Sequence, residues 1–110
     1  MINYTTPTIS LVVEGVDITA NDVYVTLEQG AHELTKSGED LTIAAETVGQ
    51  TINTNISFVL TQEESASFRF NASVSVQVNW ISAQGVRAAT EIKNVGVMRN
   101  LLDKVIAYGD

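Results

Sequence analysis

His32 is the only histidine in the chain, so general-base chemistry using an imidazole must pass through it, with Glu33 or Asp40 as the acid that orients it in a hydrolase. Its setting, Ala31-His32-Glu33 beside a turn, offers no neighbouring nucleophile and reads as a solvent-exposed turn residue. The acidic groups Glu39-Asp40, Glu63-Glu64 and Asp17 with Asp22 are the candidates for glycosidase carboxylates or calcium ligands. None alternates oxygen ligands around a glycine as a calcium loop does. The serines lie outside any Gly-x-Ser-x-Gly elbow, and the glycines form neither a dinucleotide-binding fingerprint nor a phosphate loop. With no cysteine, thiolate catalysis, disulfides and zinc ribbons are excluded. The sequence therefore assigns no catalytic residue, no metal ligand and no cofactor. Trp80 with Tyr4, Tyr24 and Tyr108 is the one aromatic set suited to stacking on sugar rings, although Trp80 shares a strand face with three valines and reads better as core.

The elements that would position these residues follow a period of two. Ile9, Leu11 and Val13 alternate in a first strand, and Val23, Val25 and Leu27 in a second. Gln29-Gly30 reverses the chain into a partner over residues 31–36, closed by Ser37-Gly38. A strand over 41–46 comes next, then a loop or edge from Thr47 to Asn55, then a strand burying Ile56, Phe58 and Leu60. Thr61-Gln62-Glu63-Glu64 matches a capping box and predicts one or two helical turns that cross between sheets, with Phe68 or Phe70 plugging one end of the core. Val74, Val76, Val78 and Trp80 give the cleanest alternation. Ala83-Gln84-Gly85 then turns the chain into a return strand over 86–95, with Ala88, Thr90 and Ile92 inward and Arg87, Ala89, Glu91 and Lys93 outward.

The period changes at the end. Val97, Met98, Leu101, Leu102, Val105 and Ile106 fall on one stripe, which predicts a short amphipathic helix over about 97–107. These six residues are the candidate protein-interaction surface. The 110-residue length allows a single domain. Six or seven short strands with frequent turns predict an all-β fold, an antiparallel immunoglobulin-like β-sandwich, with a partly open barrel as the alternative. The net charge of −7 and the scattered cations argue against nucleic acid as a partner. No apolar run approaches the roughly 20 residues of a membrane span, and the opening residues do not match a signal peptide.

Tyr4-Thr5-Thr6-Pro7-Thr8, the Leu60-Thr61-Gln62-Glu63-Glu64 block followed by Phe68, the Val76-Gln77-Val78 strand with its Gly85 hairpin, and Asn100-Leu101-Leu102-Asp103 occur in an order that resembles short proteins encoded in prophage tail regions of Firmicutes. Val13-Glu14-Gly15 stands where that family usually has Pro-Phe. The family is similar in turn to the immunoglobulin-like N-terminal domain of phage baseplate upper proteins. The resemblance implies a non-enzymatic structural or adaptor protein of a phage or prophage tail or baseplate, made in the bacterial cytoplasm and carried in the virion. Its implied partners are other tail or baseplate proteins and copies of itself. A carbohydrate-binding module for host-surface attachment is the alternative.

Overall fold

The computed structural model describes residues 1–107 and is nearly all β. Eight strands run in order: β1 (Thr8–Val13), β2 (Asp22–Gln29), β3 (His32–Ser37), β4 (Thr42–Val48), β5 (Thr51–Val59), β6 (Val74–Ile81), β7 (Arg87–Ala89) and β8 (Lys93–Val95). One short helix, α1 (Gln62–Ala66), separates β5 from β6. Every strand pairing is antiparallel, in two sheets: β1-β5-β4, and β3-β2-β6 with both β7 and β8 on the far side of β6.

Alternation decides which faces meet. Ile9, Val13, Ile56 and Phe58 from the smaller sheet and Val23, Val25, Leu27, Val74, Val76 and Val78 from the larger are buried in one cluster, so the two sheets share one core in a sandwich-like all-β architecture. Trp80 packs partly buried against that cluster, directly across from Val23. The crossover behaves as its sequence predicts. The Thr61 hydroxyl accepts from the Glu64 amide at 3.1 Å, and the Glu64 carboxylate accepts from the Thr61 amide at 2.9 Å. Phe68 is fully buried, whereas Phe70 is exposed beneath the Arg99 guanidinium. Burying a side chain of that size stabilises by roughly 1.5–3 kcal/mol.

Three expectations are corrected. Of the loop or edge expected from Thr47 to Asn55, the edge holds for Thr47 and Val48 on β4 and the loop does not: Gly49 and Gln50 form a two-residue hairpin turn, and β5 runs on from Thr51. Gly49 has φ +64° and Gln50 does not share the positive φ, the Gly-first geometry that suits tight hairpins. Residues 44–52 are all exposed, so this half of the hairpin projects past the core.

The return strand is also broken. Asn79 faces Ala89, yet Val76 faces Lys93, so the returning chain holds one residue more than β6 does. That is a β-bulge at Thr90, whose hydroxyl accepts from the Val78 amide at 3.1 Å while its carbonyl turns to the Gln77 side chain. The extra residue inverts the alternation beyond it. Val95 packs on the core, and Ile92, expected inward, is 62% exposed.

The third correction is the C-terminal stripe. Residues 97–107 form no helix. Met98 instead makes a parallel bridge to Ile2, and the Asn100 side chain accepts from the Leu102 amide, a local bond that competes with helical pairing. A segment of about ten residues containing Asn, Asp and β-branched side chains lacks the propensity and length to hold a helix on its own.

Candidate functional site

The chain from Gly96 to Ala107 forms an arm laid along the N-terminal residues and α1. The Met1 ammonium donates to the Gly96 carbonyl at 2.9 Å, the Met98 amide to the Met1 carbonyl at 2.6 Å, and the Asn3 amide to the Met98 carbonyl at 3.1 Å. Two carboxamides then act as clamps. The buried Asn3 accepts the Asn100 amide at 2.9 Å on its side chain, and its own carbonyl accepts the Asn100 side chain at 3.1 Å. Gln62, on α1, accepts the Ile106 amide at 2.7 Å and donates to the Ile106 carbonyl at 2.8 Å. A side-chain amide carries one donor and one acceptor edge just as a peptide does, so Gln62 pairs with Ile106 as a neighbouring strand would. The N-terminal segment is held from its other side by Ser65, whose hydroxyl donates to the Thr5 carbonyl at 2.6 Å.

The six stripe residues divide. Val97 is buried, 6% exposed, and belongs to the core. As an interaction residue it is therefore a correction: it lies just beyond β8, where the bulge has returned the chain to the inward face. Met98, Leu101, Leu102, Val105 and Ile106 are exposed, Leu101 to 87%. Val105 and Ile106 wall a groove with Thr6, Gln62 and Val59, the last on the outer face of the smaller sheet. The arm thus leaves five apolar side chains exposed, on a backbone held at Asn100 and at Ile106.

His32 sits elsewhere. Its Nε2 lies 2.7 Å from the Ser67 hydroxyl, and its ring is tilted against Phe68 with centroids 4.9 Å apart. The Ser67 hydroxyl also lies 2.5 Å from the Glu64 carbonyl, an acceptor that competes with His32 for its single proton. Among the described residues neither Glu33 nor Asp40 is hydrogen-bonded to His32. No sequence signal links His32 to Ser67, which stand on separate elements. Glu64 is committed to α1 and to Lys36, at 2.8 Å. Burial pushes its carboxyl up, but the bond to Lys36, the Thr61 amide and the lysine's charge outweigh that and hold it below the ordinary carboxylate range. Asp17 is lowered by the hydroxyl and amide of Thr19, both within a turn. Among the described residues no group of three or more His, Asp or Glu is placed to hold a metal ion.

The aromatic set is not assembled into one platform. Tyr4, at φ +62°, lines a depression with Phe70 and Arg99 near α1. Tyr24 stands on the outer face of the larger sheet. It shares with the edge of Trp80 a shallow depression of about 350 Å³ that also contains Thr26, Asn79 and Arg87. Arg87 is bonded at 3.1 Å to Asn79. Tyr108 lies outside the described residues. No helix among the described residues is long and apolar enough to cross a membrane. No family model, curated protein or solved structure matches this chain.

Proposed function

We propose that this chain is a non-enzymatic structural or adaptor protein of a phage or prophage tail or baseplate, built on an immunoglobulin-like sandwich and acting through protein-protein contacts. The observation that carries this reading is the arm: Met98, Leu101, Leu102, Val105 and Ile106 stand exposed on a backbone clamped by Asn3 and Gln62. Apolar side chains on an anchored backbone bind a protein partner at a smaller entropic cost than a loose tail would. The two-sheet scaffold and the resemblance of the Thr-Pro-Thr opening and the Leu-Thr-Gln-Glu-Glu block to prophage tail-region proteins support the same reading.

The test is made on tail particles purified from induced prophage. The full chain is expected in the particles. Deletion of residues 101–110, which spares buried Val97 and the Asn3–Asn100 clamp, is expected to remove it from particles while the circular dichroism and melting of the domain stay near those of the parent. Absence of the full chain from purified tails refutes the reading. Tyr24, Asn79 and Arg87 around one depression favour the second reading, a sugar-binding face. Titration with acidic and neutral oligosaccharides, followed by amide shifts at these residues, tests it.

A further inference from the structure

The two sheets have four edges, and three of them are guarded. β3 carries His32, Glu33 and Lys36. β7 and β8 are three residues each, separated by the bulge, and carry Arg87 and Lys93. β1 starts after Pro7, and its Leu11 and Val12 share a groove with Thr90 and Lys93. Charge, proline, bulges and short length are the devices by which sheets keep foreign strands off their edges.

β4 has no proline, bulge or short length to guard it, and its single charge is engaged within its own sheet. It pairs with β5 without interruption over all seven residues, Thr42 to Val48. Its sequence, Thr-Ile-Ala-Ala-Glu-Thr-Val, holds no proline and one charge, and that carboxylate is turned across the sheet to the Asn55 side chain at 2.8 Å. Its free edge therefore exposes a row of peptide groups that no other strand among the described residues pairs with. Because residues 44–52 project past the core, the larger sheet does not obstruct an approach to this half of the edge.

We propose that β4 is a self-docking edge: two copies of this chain join β4 to β4, antiparallel about a two-fold axis through Ala45, into one six-stranded sheet. The edge is self-complementary in that register. A two-fold axis perpendicular to the sheet sets side chains of the same face opposite each other only when it passes through a residue, and Ala45 is the middle of the seven. The register places Ala45 on Ala45, Ala44 on Glu46, Ile43 on Thr47 and Thr42 on Val48. The two Glu46 side chains are diagonal instead of directly opposite, each bonded to Asn55 of its own copy, and the exposed row Ile52–Thr47 of one copy runs on into Ile43 of the other. Main-chain bonds supply the attraction, as in strand addition generally. Seven residues make a small interface, and two copies of charge −7 repel, so the pairing is weak alone, strengthens as salt screens the charge, and gains from repetition in an assembly. The inference gives the proposed assembly role a partner, yet it is measured on the chain alone.

Sedimentation velocity on the full chain from micromolar to millimolar concentration, in low and in 0.5 M salt (about a 4 Å screening length), is the experiment. The apparent mass is expected to rise towards twofold, earlier in high salt. Ala45→Lys, at an exposed position, sets two ammonium groups against each other and is expected to stay monomeric with unchanged melting; Ala45→Glu does the same with two carboxylates. Mixing the two variants is expected to restore the dimer. A parent chain that stays monomeric throughout, a dimer that survives Ala45→Lys, open-ended aggregation in place of a dimer, or a mixture that fails to pair would each overturn the inference. A dimer found in solution by a chain missing from tail particles rejects the tail assignment and leaves this one standing.

Discussion

Thr54→Val replaces a hydroxyl by a methyl of nearly the same size at a fully buried position on β5. The hydroxyl does two things there: it accepts from the Ile18 amide at 3.0 Å and donates to the Val16 carbonyl at 2.8 Å. Those bonds pin the turn between β1 and β2 over the core, with Ile18 itself completely buried. Valine keeps the packing and leaves a buried N–H and a C=O without partners. Each unsatisfied buried group costs about 1–3 kcal/mol, and the carbonyl, being nearer the surface, regains part of that from water. The expected destabilisation is therefore about 2–4 kcal/mol, a large share of the roughly 5–15 kcal/mol that holds a domain folded. Thr54→Ser keeps both bonds and loses one methyl, with an expected cost of about 1 kcal/mol. Urea denaturation of the three proteins, with hydrogen exchange at the Ile18 amide, reads the difference directly. If Thr54→Val and Thr54→Ser lose equal stability, or if the Ile18 amide stays as protected in Thr54→Val as in the parent, the hydroxyl is not what holds the turn.

Two further outcomes follow from the structure. Since the folded-state carboxyl of Glu64 lies below its unfolded value of about 4.3, its stabilisation is fully present above that value and is lost as pH falls through the lower one. Thermal melts from pH 6 downward should accordingly show the parent losing stability faster than Glu64→Gln below about pH 5, and parallel curves would reject the assignment. The bulge predicts that Val95→Asp, which puts a charge against the core, destabilises by about 2 kcal/mol or more, whereas Ile92→Asp stays within about 0.5 kcal/mol; the reverse order would mean an unbulged strand.

Much of the fold is legible in the chain because a half-buried strand writes its own face. Val23, Val25 and Leu27, and Val74, Val76 and Val78, alternate against water on one side only, and the Thr61–Glu64 capping box names both of its bonds. Legibility fails where burial fails. The outer half of the β4–β5 hairpin faces water on both sides, so Thr47 to Asn53 carries no alternation, and only the Gly49-Gln50 pair marks the turn. The bulge at Thr90 leaves no compositional trace, since a single added residue changes the parity of the faces without changing the residue types. The Val97–Ile106 stripe is apolar at helical spacing, but its backbone is decided by Asn3 and Gln62, which lie far from it in sequence. Of the candidate surface, five exposed residues could be named from sequence; Val97 could not be told apart from them, and the clamps that present them were invisible.

The bulge also bears on which coding changes this molecule tolerates. A three-base deletion that removes residue 90 erases the surplus: Val78 meets the next backbone along the ladder, Val76 still meets Lys93, and no later side chain changes sides. The same loss inside β6 would exchange the wet and dry faces of everything downstream of it. Within the return strand, length variation should therefore collect at the bulge, where the gene can shed a residue and keep the register of the pairings on either side.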